Sequence, residues 1–145
     1  VFQKMLLKQP KNNCVCHHLV WIGNNMYRLM IVDDSNIIRN RIQRIYNSDE
    51  FMLVATASNG EEAIDKFSVH RPEVVTMDLT MPHMDGLECI EKLVTMAPEV
   101  RILVVSALSD KATGIKALEL GASGFLCKPF SEEELAEAMS ELVSD

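Results

Sequence analysis

Short apolar runs alternate with amphipathic stretches along most of this chain. The apolar runs fall at about 28–32, 51–57, 73–77, 101–105 and 124–127. Leu29-Met30-Ile31-Val32 and Ile102-Leu103-Val104-Val105 show no period of two. Such runs fit strands covered on both faces, as in a parallel sheet. Between them, apolar residues recur at helical spacing: Ile38, Ile42 and Ile45; Leu87, Ile90 and Val94; and Leu135, Ala138, Met139 and Leu142. Asn59 with Glu62, Asp85 with Glu88, and Ser131 with Glu134 have the spacing of an N-cap residue and an acid at N3. Gly121 is placed to close the fourth helix. Five strand–helix units predict an α/β, (βα)5 doubly wound parallel sheet, whose ligands bind at the carboxyl ends of the strands.

The first 25 residues stand apart. They lack sustained periodicity and contain Asn-Asn twice. The division expected is therefore an N-terminal extension over 1–25, non-native or disordered, and one domain over 26–145. Leu19 to Ile22 is too short for the apolar core of a signal peptide, which needs about 7–15 residues. Cys14-Val15-Cys16-His17-His18 offers soft metal ligands, but without the usual zinc spacing, and no metal role is assigned to it.

Charge divides at the same place. The extension carries Lys4, Lys8 and Lys11 and no acid, so all 21 acidic side chains lie in the domain. An acidic domain repels nucleic acid, so none is expected as a partner of this domain alone. No apolar stretch approaches the roughly 18 residues of a membrane span, and no membrane association is expected. The four cysteines are scattered, which suits a reduced, cytoplasmic protein rather than a disulfide framework.

The candidate chemistry sits where strands end. Asp33 and Asp34 follow the first, Asp78 the third, and Lys128-Pro129 the fifth. Two carboxylates about 4 Å apart repel by roughly 4 kcal/mol at an effective dielectric near 20. Three together either protonate in part or bind a cation, and an all-oxygen site with open water positions suits Mg²⁺. Taken alone, Asp33-Asp34 is as well explained by a turn and helix cap, and Lys128 by a lysine reaching the surface. A Lys128–Pro129 bond is a candidate for the cis form, which fixes where the ammonium points. Ser106 follows Val105 and has a hydroxyl to offer an anion on the same edge.

Five motifs stand in a recognisable order: Val32-Asp33-Asp34-Ser35, Met77-Asp78-Leu79-Thr80-Met81-Pro82, Met84-Asp85-Gly86, Ser106-Ala107 and Lys128-Pro129-Phe130. In this the chain resembles the receiver domains of response regulators, above all the single-domain chemotaxis type, over residues 28–143. The resemblance implies a flavodoxin-like sheet of order 2-1-3-4-5. It implies Asp78 as phosphoacceptor, and Mg²⁺ on Asp34, Asp78 and the Thr80 backbone carbonyl, with Asp33 acting through water. It implies that Ser106 and Lys128 contact the phosphoryl oxygens and that Ser106 and Phe125 switch the face formed by the fourth helix, fifth strand and fifth helix. Thr80 and Leu108 take the positions that tune hydrolysis of the acyl phosphate, and neither orients water strongly. A slow loss of phosphate is therefore expected. The implied partners are a sensor histidine kinase or phosphotransfer protein and a downstream protein target. The implied state is a monomer or a phosphorylation-dependent dimer, without small-molecule turnover.

Other readings are weaker. A nucleotide or flavin domain needs a glycine-rich turn where this chain has Asp33-Asp34-Ser35-Asn36. An aspartyl-phosphate hydrolase typically has a second Asp where this chain has Thr80. A receiver cut from a larger regulator with a DNA-binding or enzymatic output domain stays open on sequence.

Overall fold

The computed structural model describes residues 26–45, 50–107 and 111–144. The extension over 1–25 and its cysteine–histidine cluster lie outside the described residues. In chain order the elements are β1 (Tyr27–Val32), α1 (Asn36–Ile45), β2 (Phe51–Ala57), α2 (Gly60–His70), β3 (Val74–Met77), α3 (Gly86–Met96), β4 (Arg101–Ala107), α4 (Lys111–Glu119), β5 (Gly124–Lys128) and α5 (Glu132–Val143). The five strands form one parallel sheet in the order β2-β1-β3-β4-β5, as the resemblance implied.

Successive strand residues feed opposite layers. Met30, Val32, Val75, Met77, Ile102 and Val104 pack on one face with Phe67, Ile90 and Leu93 of α2 and α3. Leu29, Ile31, Val74, Leu103 and Val105 pack on the other with Ile42 of α1 and Leu135 and Met139 of α5. Both faces are buried, so polar residues have no place to alternate, and the runs read as continuously apolar. Burying one side chain of Leu or Ile size contributes about 1.5–3 kcal/mol, so these two layers hold the sheet edge rigidly in place.

The helix ends follow local chemistry. Asn59 and Asp85 each accept the N3 backbone N–H, from Glu62 and Glu88. Ser131 and Glu134 form the full reciprocal box. Glu62 departs from the expected pairing and accepts the Ser58 N–H at 2.9 Å instead. At the end of α4, Gly121 takes φ +119°. Its N–H reaches Leu118 O while the Ala122 N–H reaches Ala117 O, both bonds of a Schellman closure.

Two strands run further than their apolar residues alone imply. β4 continues through Ser106 and Ala107, and β5 through Lys128, because Ser106 pairs with Cys127 and Ala107 with Lys128. β3 starts at Val74 rather than Glu73, whose carboxylate accepts the Arg28 N–H at 3.1 Å. In the centre, Val32 pairs with Met77, so the residues that follow each emerge side by side.

Candidate functional site

Asp33 and Asp78 are the first residues beyond β1 and β3, and backbone hydrogen bonds carry the ladder one step past each strand. The Asp33 N–H donates to Ala57 O at 3.0 Å, and the Asp78 N–H to Val32 O at 2.9 Å. These bonds fix both Cα positions, so the two carboxyl groups share one corner. Asp33 is 1% exposed and Asp78 5%, while Asp34 is open to solvent. One carboxylate oxygen from each of the three lies within 4.8 Å of the others.

Lys128 reaches this corner from β5. Its Nζ donates to Asp33 Oδ2 at 2.8 Å and lies 3.6 Å from Asp78 Oδ1. The other Asp33 oxygen accepts the Ser35 N–H at 2.9 Å, so both oxygens of Asp33 have donors. Asp78 Oδ1 accepts the Thr80 N–H at 3.4 Å, a long bond. The Lys128–Pro129 peptide is cis.

Three acids face one ammonium here, and the imbalance falls on Asp78. Its pKa is pushed up from 3.8 to about 6, first by burial and then by the Asp33 carboxylate. Lys128 and the Thr80 N–H pull it down, and Asp34 pushes it up a little further. A site this short of positive charge, with only hard oxygen donors, fits a divalent cation of the Mg²⁺ kind.

Ser106 lies within β4 and is buried, beside Cys127 and one residue before the Ala107–Lys128 pair. Thr80 is exposed, two residues beyond Asp78. Leu108 lies outside the described residues. Phe125 is half-buried on the α2–α3–α4 side of the sheet. The structure thus gathers Asp33, Asp34, Asp78 and Lys128 into one contact group, with Ser106 on the neighbouring strand.

Two arginines of α1 brace this corner, and neither was visible in the motifs. Arg39 Nη1 donates to the carbonyl of Asp33 at 2.5 Å, and Nη2 donates to Asn36 Oδ1. Arg41 Nη2 donates to Phe130 O at 2.5 Å, with its guanidinium 4.8 Å from that ring's centroid. Arg41 so ties α1 to the segment that follows Lys128-Pro129. Arg39 had a weak signal, lying six residues after Asp33. Arg41 and Phe130 are 89 residues apart and had none.

Comparison with known proteins agrees with this geometry. The response regulator receiver domain family matches residues 29–140. The chain belongs to that family. This receiver is 37% identical over 114 residues to chemotaxis protein CheY of Listeria monocytogenes, covering 79% of this chain and 96% of that protein. It is 41% identical over 110 residues to a protein-glutamate methylesterase/protein-glutamine glutaminase of Colwellia psychrerythraea, covering 73% of this chain but 28% of that protein. Among solved structures it matches the CheX–CheY–BeF₃–Mg²⁺ complex of Borrelia burgdorferi with TM-score 0.77 and 30% identity, covering 82% of this chain and 90% of that one. The response regulator domain of Thermotoga maritima CheB matches with TM-score 0.73 and 30% identity, over 81% of this chain and 93% of that one. Among the described residues, no helix is long and apolar enough to cross a membrane.

Proposed function

We propose that this receiver accepts a phosphoryl group on Asp78 from a phosphohistidine of a sensor kinase or phosphotransfer protein, and that the acyl phosphate controls a downstream protein. The observation that carries the reading is the packing of three carboxylates within 4.8 Å, with the Lys128 ammonium 3.6 Å from Asp78. A carboxylate oxygen of Asp78 forms a P–O bond as the donor's P–N bond breaks, and the bonding pair leaves on the imidazole nitrogen. Little covalent chemistry is asked of the protein beyond positioning and charge neutralisation. Lys128, held on Asp33, offers its ammonium to the incoming phosphoryl oxygens, and the Ser106 hydroxyl offers a donor on the adjacent strand.

Asp34, Asp78 and the Thr80 carbonyl are the residues to hold Mg²⁺, with Asp33 acting through water; bound there, the ion offsets charge on the phosphoryl group. The mixed coverage of relatives leaves a second reading alongside the first. The same receiver chemistry serves a free messenger or a domain of a longer regulator, as in the methylesterase relative.

The receiver also ends its own signal by hydrolysis. Water's oxygen bonds phosphorus, the P–O bond to Asp78 breaks, and the water proton leaves with inorganic phosphate. Thr80 offers that water only a hydroxyl, which favours a long-lived phosphorylated form. Ser106 moving toward the phosphoryl group, with Phe125 following inward, then alters the α4–β5–α5 face.

The test is phosphorylation by acetyl phosphate with and without Mg²⁺, in wild type and Asp78→Asn. Label on wild type alone, dependent on Mg²⁺, is the expected result. Equal labelling of both proteins, or of neither, removes the reading.

A further inference from the structure

α4 faces the sheet with its smallest residues. Gly114 and Ala117 are its buried positions, while Ile115 and Leu118 stand 55% and 42% exposed. Glycine inside a helix is unfavourable relative to alanine, because it adds backbone freedom to the unfolded chain. Its presence at 114 therefore asks for a local reason, and Phe125 supplies one. A Cβ placed on Gly114 stands 2.1 Å from Phe125 Cε2, 2.5 Å from Cδ2 and 3.0 Å from Cζ. The ring edge occupies the space that any other side chain would fill. Phe125 lies directly against the α4 backbone, with its own backbone paired to Val104 in the sheet.

We propose that Gly114 is the seat of the Phe125 ring and sets the balance between its resting and signalling positions. The proposal rests on the reading of Phe125 as part of a phosphorylation switch, and names the residue of this chain that regulates it. Phenylalanine has no hydroxyl with which to anchor either position, so packing alone decides where the ring lies. An open seat at 114 holds the ring on α4; a methyl group there evicts it. Because Ala117 is the other fully buried residue of α4, a change at this contact passes to the exposed Ile115–Leu118 side of the helix. Few buried contacts make an element easy to shift.

The experiment uses the 145-residue chain labelled with 4-fluorophenylalanine, in which five phenylalanines give resonances and Phe125→Ala assigns the one of interest. Spectra are taken with and without acetyl phosphate and Mg²⁺, for wild type and Gly114→Ala. The expected result is a Phe125 resonance that moves on phosphorylation in wild type. In Gly114→Ala the ratio of resting to displaced ring should fall by about tenfold before any donor is added, as overpacking of the usual size implies. A wild type that responds to donor beside a Gly114→Ala spectrum unchanged at rest overturns the seat. A wild type that takes up label on Asp78 without moving the resonance overturns the switch reading, and the proposal with it.

Thermal unfolding supplies the control for a merely structural glycine. With Phe125 present, Gly114→Ala should lower the midpoint; with Phe125→Ala it should raise it, because helix propensity then acts alone. The same sign in both backgrounds removes Phe125 from the account.

Discussion

The Lys128 ammonium is held by Asp33, 2.8 Å from its Oδ2, and stands 3.6 Å from Asp78 Oδ1. Its short, charge-assisted bond goes to the acid that is not the proposed nucleophile. Asp33 thereby anchors the cation, and Asp78 keeps an oxygen free of that bond. The corner stays net negative even so, and that charge governs its response to pH and to metal.

Stability without divalent cation should fall as pH rises through about 6. Asp78 has its pKa raised from 3.8 to about 6, so the folded protein prefers the neutral acid. That preference contributes fully below pH 4 and is lost as the group ionises, since the unfolded chain then gives up its proton more readily. In EDTA, Asp78→Asn should exceed wild type by roughly 1–3 kcal/mol at pH 7.5, the scale of a two-unit shift. The advantage should vanish near pH 4. Denaturant unfolding across that range checks it, and an advantage independent of pH would contradict the assignment.

Removing the ammonium should separate metal binding from phosphorylation. In Lys128→Met the acids lose the ammonium that sits against their carboxylates, so Mg²⁺ no longer meets its repulsion and should bind roughly 3–30-fold more tightly. Labelling by acetyl phosphate should nevertheless slow by about tenfold or more, because the phosphoryl oxygens lose a counter-charge. Calorimetric titration and labelling rates read the two effects independently. Weaker Mg²⁺ binding would mean that Lys128 organises the acids rather than opposing the metal.

The lifetime of the acyl phosphate should depend on the position two residues beyond Asp78. Thr80 is exposed and its hydroxyl is a weak guide for water. Thr80→Asn combined with Leu108→Glu supplies an amide and an acid able to orient the attacking molecule, and should speed decay on the order of tenfold. Loss of label after removal of donor measures it directly. An unchanged rate would show that water is not positioned from these side chains.

Much of this architecture is legible in the amino-acid sequence. Leu29 to Val32 and Ile102 to Val105 announce strands buried on both faces, because each successive side chain has an apolar layer to enter. Asn59, Asp85 and Ser131 mark helix starts through bonds that span three residues. Asp33, Asp34, Asp78 and Lys128 converge because strand ends in a parallel sheet share one edge. What local pattern cannot carry is contact across the chain. The extension of β4 to Ala107 depends on β5 alongside it, the brace of Arg41 on Phe130 joins distant segments, and the fit of Phe125 on Gly114 depends on helix placement. Glu62 shows a finer limit: its spacing fits a capping box, yet its carboxylate reaches one residue further back.

Thr76 is the one polar side chain in the middle of β3, and it should be replaceable with a gain. It is 1% exposed, pairs with Ile31 and Leu103, and shares a strand face with Val74. Its Oγ1 is buried without a hydrogen-bond partner. Such a hydroxyl forfeits its hydration on folding and regains nothing, a loss of about 1–3 kcal/mol. Thr76→Val keeps the β-branched shape and the strand preference while removing that loss, so the unfolding free energy should rise by about 1 kcal/mol. Labelling at Asp78 should stay at the wild-type rate, since the exchanged atom lies inside the strand, two residues before Asp78. Equilibrium denaturation beside the labelling assay decides the matter, and a destabilised variant would show that the hydroxyl has a bond that matters to the fold.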